Sequence, residues 1–189
     1  MDLSIIVPAY NEEHRLGETL ADIARFVDGR TESVETIVVD DGSVDATSAV
    51  AHAADLAPTV IRLDTNRGKG HAVRVGMLAA TGSVRLFTDA DGSTPIDEYD
   101  KLRGALDAIG GRGVAFASVA VDGANVLTPQ RGLRPAAGRL GNRLIQSLVL
   151  PGVSDSQRGF KVFSDDAAIA IFERCVIDRW AFDVEVLYR

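Results

Sequence analysis

Short apolar runs recur along the first half of the chain, each followed by a polar cluster and then by residues at helical spacing. Leu3 to Val7, Glu35 to Val39, Thr59 to Leu63 and Val84 to Phe87 have the length and β-branched content of buried strands. After the first run, Leu16, Leu20, Ile23, Ala24 and Val27 share one helical face. A helix around Tyr99 to Ile109 leads to a fifth expected strand, Gly113 to Val119. Repeated strand-helix units predict an α/β chain with a mostly parallel central sheet flanked by helices.

In such a sheet, ligands bind beyond the carboxyl ends of the strands. Four polar clusters stand there: Pro8-Ala9-Tyr10-Asn11-Glu12-Glu13, Asp40-Asp41-Gly42-Ser43, Asp64-Thr65-Asn66-Arg67-Gly68-Lys69-Gly70 and Asp89-Ala90-Asp91-Gly92-Ser93. Turn chemistry alone accounts for any one of them, but not readily for four along one edge.

The chain has 189 residues and 46% hydrophobic content, enough for one sizeable core, so a single domain over 1–189 is expected. Its single cysteine, Cys175, excludes an intrachain disulfide and favours a reducing, cytoplasmic setting. The N-terminal apolar run is too short for a signal peptide or a membrane span. A net charge of -7 argues against nucleic-acid binding.

Within the clusters, Asp89 and Asp91 are separated by one residue at a strand end, where they can present oxygens to a hard divalent cation that also bridges a diphosphate. An EF-hand is excluded, because Thr94 and Asp100 stand where that loop needs Gly and Glu. One carboxylate of Asp40-Asp41 can accept the imide N–H of uracil or the amino group of guanine, while Ser43 or Asp45 caps a helix through Ala46 to Ala54. Arg67-Gly68-Lys69-Gly70 suits an anion at a helix start. It is neither a Walker A loop, since Gly70 replaces Ser or Thr, nor a complete dinucleotide fingerprint, since Val73 replaces the last small residue.

Between Asp122 and Asp155 the chain carries no acidic residue but four arginines, Arg131, Arg134, Arg139 and Arg143. A helix from about Pro135 to Leu150 places Leu140, Leu144, Ile145 and Leu148 on one face. The bland reading is a solvated face. The functional one is a basic amphipathic element at an anionic membrane surface, with Arg131 and Arg134 free to hold a phosphate. By composition Trp180 and Phe182 are core residues, and His14, His52 and His71 lack metal spacing.

Together these blocks, with Asp155-Ser156-Gln157-Arg158-Gly159-Phe160-Lys161 and Arg179-Trp180-Ala181-Phe182-Asp183-Val184-Glu185, resemble the inverting GT-A glycosyltransferases of family 2, in their dolichyl-phosphate glucosyltransferase branch. The resemblance implies a GT-A, nucleotide-diphospho-sugar transferase fold. It implies that Pro8, Tyr10, Glu12 and Asp41 line the base and ribose pocket and that Lys69 lies near the donor. Asp89 and Asp91 would address ribose, sugar and a Mg2+ or Mn2+ ion, with Asp91 as the direct metal ligand. Ser156, Arg158 and Val119 depart from the family's Thr, Cys and Arg, which moves one expected phosphate contact to Arg131 or Arg134.

The implied reaction transfers glucose from UDP-glucose to a polyprenyl or dolichyl phosphate, peripherally at the cytoplasmic face of a membrane, with 120–154 as the acceptor- and membrane-facing segment. Asp155 and Asp183 are the carboxylates to test as general base. The alternatives are GDP-mannose as donor, a soluble acceptor, or a nucleotide-sugar-binding module without catalysis. Since family members continue past the Asp183 to Arg189 segment, the domain is expected to be incomplete.

Overall fold

A computed structural model describes residues 1–117 and 159–189. Its elements run β1 (Leu3–Ala9), α1 (Leu16–Asp28), β2 (Val34–Asp40), α2 (Thr47–His52), β3 (Thr59–Arg62), α3 (Lys69–Ala79), β4 (Val84–Thr88) and α4 (Glu98–Ala108). They continue with β5 (Val114–Phe116), β6 (Phe160–Ser164), α5 (Asp165–Phe172) and α6 (Phe182–Tyr188). The sheet order is β3-β2-β1-β4-β6-β5. β1, β2, β3 and β4 pair in parallel, and β6 runs antiparallel between β4 and β5.

Alternation along the strands feeds two cores, one on each face of the sheet. Leu3, Ile5 and Val7 of β1 pack with Leu16, Leu20 and Ile23 of α1 and with Tyr99 and Leu106 of α4. Ile6, Val39, Phe87 and Phe163 face the other way, onto Val73 and Met77 of α3, Phe172 of α5 and Phe182 of α6. All seven residues of β1 are buried, as a central parallel strand covered on both faces requires.

The five expected strands form, with the fifth described only over Val114–Phe116. The antiparallel strand β6 was not among them, because Lys161 at its second position breaks the apolar run. The helix expected from Ala46 to Ala54 is shorter, with α2 spanning Thr47–His52, and of the two expected start residues it is Asp45 that accepts the Thr47 N–H, at 3.0 Å. The expectation that both Trp180 and Phe182 are core residues is corrected. Trp180 is 68% exposed, whereas Phe182 is in the core, because α6 turns only its Phe182 face toward α3.

Candidate active site

β1 and β4 are neighbours whose connections leave in opposite directions, and a cleft of about 330 Å³ opens beyond their carboxyl ends. Pro8, Tyr10 and Glu12 after β1, Asp41 after β2, Asn66 and Lys69 after β3, and Asp89 and Asp91 after β4 all line it. The expected donor residues are thus brought together. Asn66 joins them, although nothing in the sequence distinguishes it from a turn residue.

The segment after β1 is clamped to the segment after β2. Asn11 takes the left-handed conformation at φ 54, and its side chain accepts the Val44 N–H at 3.0 Å. In return, Ser43 Oγ accepts the Asn11 N–H at 2.9 Å and Thr47 Oγ1 accepts the Glu12 N–H at 2.8 Å. The two aspartates of Asp40-Asp41 divide their work. Asp40 is fully buried and closes its own turn by accepting the Ser43 N–H at 2.8 Å and the Ser48 hydroxyl. Asp41 reaches across the cleft floor, accepting the Arg67 and Gly68 N–H groups at 3.0 and 2.7 Å. Each oxygen keeps lone-pair capacity for a further donor.

Gly68 precedes α3 at φ 113, a region that a side chain disfavours. A Cβ there would also lie 2.7 Å from the Asp178 carbonyl oxygen, so the loop is pressed against the segment leading to α6. Asp178 completes that junction, receiving Arg67 and Arg74 at 2.9 Å each. Burial first, and then the Arg67 charge, hold His71 below the ordinary imidazole range.

The Asp89-Ala90-Asp91 turn is fixed from both sides. Thr19 of α1 donates its hydroxyl to the Ala90 carbonyl at 2.8 Å, and the Asp89 N–H donates to the Gly159 carbonyl at 3.1 Å. Asp91 accepts the Ser93 N–H at 3.0 Å. Lys69 Nζ lies 2.5 Å from Asp89 Oδ1. Arg15 forms a two-pronged pair with Glu12 at 2.7 and 2.6 Å and stands 3.7 Å from Asp91 Oδ2. Sequence reasoning missed Arg15, which at three residues from Glu12 reads as an ordinary helix-surface pair.

Among the described residues no group of three or more His, Cys, Asp or Glu converges on one point. A hard dication held by one or two carboxylates completes its shell with ligand oxygens and water. Asp89 and Asp91, 26% and 35% exposed in their side chains, fit that role, with Lys69 and Arg15 as cations to meet an anionic ligand.

Asp183 stands apart from the cleft lining. It is buried, and its Oδ1 lies 2.5 Å from the buried Lys161 Nζ. Burial pushes the Asp183 carboxyl up and the Lys161 ammonium down, and each charge counters the shift of the other. Asp155, Arg131 and Arg134, with Val119, Ser156, Arg158, the expected helix from Pro135 to Leu150 and the 120–154 segment, lie outside the described residues.

Residues 4–172 match the model of Glycosyl transferase family 2. The chain belongs to this family. It is 39% identical over 203 residues to a dolichyl-phosphate beta-glucosyltransferase of Drosophila melanogaster, covering 100% of this chain and 62% of that protein. It is 35% identical to the Homo sapiens protein of the same name, covering 98% and 62%. The chain therefore spans about three-fifths of the length of these family 2 relatives.

A crystal structure of glucosyl-3-phosphoglycerate synthase from Mycobacterium tuberculosis, in complex with Mn2+, UDP and phosphoglyceric acid, superimposes with a TM-score of 0.74. It is 23% identical and covers 98% of this chain and 62% of that one. The likeness shows a shared GT-A fold, a mostly parallel sheet flanked by helices.

Proposed function

We propose that this family 2 chain carries the donor site of an inverting, metal-dependent hexosyltransferase that moves glucose from UDP-glucose to a polyprenyl or dolichyl phosphate. The observation that carries the reading is the convergence of Asp41, Lys69, Asp89 and Asp91, from three different strand ends, on one cleft. The identity to dolichyl-phosphate beta-glucosyltransferases supports the choice of sugar and acceptor.

In this reading Asp41 and Asn66 receive the base, Tyr10 and Glu12 border base and ribose, and Asp89 and Asp91 face the diphosphate and sugar. A bound Mg2+ or Mn2+ supplies charge neutralisation for the departing diphosphate. Lys69 leaves Asp89 for the donor's phosphate oxygens, and Asp91 contributes the direct ligand to the cation. An acceptor phosphate oxygen forms the new bond to the anomeric carbon while the bond to the diphosphate oxygen breaks. The diphosphate takes the electron pair, and the configuration inverts.

Because the acceptor oxygen is already anionic at neutral pH, positioning contributes more than proton removal. Arg131 and Arg134 are the proposed holders of that phosphate. Asp155 remains the carboxylate to test as a base, since the Lys161 contact engages Asp183. Action at the cytoplasmic face of a membrane is part of the proposal. Among the described residues no helix is long and apolar enough to cross one.

The test is transfer to a short-chain polyprenyl phosphate, with UDP-glucose and GDP-mannose as donors and 3-phosphoglycerate as rival acceptor. Glucosyl transfer from UDP-glucose to the polyprenyl phosphate, above all other combinations, is expected. Preference for 3-phosphoglycerate or for GDP-mannose overturns the acceptor or donor assignment. Donor binding without transfer to any acceptor supports a binding module instead.

A further inference from the structure

Phe87 and Asp89 point to the same face of the sheet, and the antiparallel register sets Lys161 of β6 opposite Phe87. Gly159 stands beside Asp89 and has no side chain, so Lys161 is the next side chain on β6 along that face. It is fully buried, with its ammonium 2.5 Å from Asp183 and 5.2 Å from the Phe87 ring centroid. Lys69 Nζ, in the cleft wall, lies 5.9 Å from the centroids of both Phe87 and Phe182 and 2.5 Å from Asp89. Two Lys–Asp pairs, an outer and an inner one, are therefore packed around the same two rings.

The inner pair does not line the cleft. Stability alone explains it poorly, because apolar residues of similar volume avoid the desolvation that a buried ion pair incurs. Its connections lead to the cleft instead. Phe182, next to Asp183, packs so closely on the first turn of α3 that a Cβ at Gly70 would lie 2.5 Å from the Phe182 Cβ. Gly70 follows Lys69, so the bond from Asp183 to Lys161 anchors the turn that carries Lys69. On the other side, Lys161 and Gly159 belong to the strand end that confines the Asp89 carboxylate. Burial weighs most on both inner groups, followed by their mutual attraction, and the charges of Lys69 and Asp89 act on both.

We propose that Lys161 and Asp183 form a positioning pair that holds Asp89 and Lys69 in the geometry for the donor's diphosphate. The inference rests on the donor-site reading above. When donor phosphates draw Lys69 away, Asp89 keeps a cation behind it in Lys161. Asp183 fixes that ammonium, so that Lys161 does not itself pull the Asp89 carboxylate out of the cleft.

The experiment measures UDP affinity in the presence of Mn2+ by calorimetry, alongside thermal unfolding. It compares the wild type, a Lys161→Met, Asp183→Leu double variant, and Asp183→Asn. A positioning pair predicts a double variant that unfolds near the wild-type temperature but binds roughly 10- to 100-fold more weakly, the range for groups that orient ligands to a metal. A double variant with wild-type stability and affinity overturns the inference and makes the pair a packing device. If the double variant does not fold, Asp183→Asn decides: unchanged affinity overturns the proposal, and at least tenfold weakening upholds it. Failure of the wild type to bind overturns the donor-site reading and this inference together, whereas equal binding by wild type and variants overturns the inference alone.

Discussion

The Asp89 carboxylate occupies the space that a side chain at Gly159 would need. A Cβ built on Gly159 would lie 2.1 Å from Asp89 Oδ2 and 2.3 Å from both the carboxyl carbon and Oδ1. The turn after β4 and the start of β6 thus fit only if one of the two positions lacks a side chain. Gly159→Ala should displace Asp89 and weaken metal-supported UDP binding by about tenfold or more, the scale on which disturbed outer groups act. Calorimetric titration of the variant checks this, and wild-type affinity would show that Asp89 can relocate without consequence.

Asp41 makes a second structural demand. At 2% exposure it accepts two backbone N–H groups from the loop ahead of α3. Asp41→Ala leaves both donors without their acceptor, at a cost of about 1–3 kcal/mol each if water does not reach them. Denaturant unfolding should show the loss, and UDP affinity should fall with it, because the same loop carries Lys69. A variant as stable as the wild type would mean that the loop holds its shape unaided.

Glu35 lies at the opposite end of the sheet and controls stability rather than binding. Burial alone would raise its pKa, but hydrogen bonds from Ser4, Thr81 and Gly82 prevail and lower it below the ordinary value of 4.5. A lowered folded pKa means that the unfolded chain binds the proton more readily. The contribution is therefore fully present above 4.5 and is lost as the pH falls through the folded value. Glu35→Gln should cost on the order of 1 kcal/mol at pH 7. The gap to wild type should narrow as the pH falls below 4.5, and a gap that widens in acid would contradict the assignment.

Cys175 reports on the packing of the segment between α5 and α6. Burial, followed by the nearby Glu185 charge, pushes its thiol up to about 11. At pH 8 the native protein should react with an aromatic disulfide far more slowly than the unfolded chain does. Equal rates would indicate that this segment does not cover α3.

Much of this was legible in the sequence, and the reasons are local. Apolar runs ending at Val7, Val39, Leu63 and Phe87 have the period and length of strands, and parallel topology places the ends of β1 to β4 on one edge. That logic was enough to gather Tyr10, Glu12, Asp41, Lys69, Asp89 and Asp91 in one cleft. β6 was missed because Lys161 is compatible with a buried strand only through a partner 22 positions away, Asp183, and no periodicity announces such a pair. Trp180 was misplaced for the converse reason: composition marks it as core, but the helix it precedes turns a different face inward. The division of labour between Asp40 and Asp41 likewise depends on the neighbouring loop, since adjacent aspartates in a turn look alike until Arg67 and Gly68 are placed beside them.

The most direct test of the donor site is calorimetric titration of UDP into the wild type and Asp91→Asn, each with and without Mn2+. Asp91 is flanked by Arg15 and by the Ser93 N–H, and no third carboxylate joins it and Asp89 among the described residues. The cation should therefore bind weakly alone and tightly together with UDP. The wild type is expected to gain strongly in UDP affinity when Mn2+ is added, and Asp91→Asn to lose most of that gain. An equal gain from Mn2+ in both proteins would contradict the assignment of Asp91 as the metal ligand and the donor site built around it.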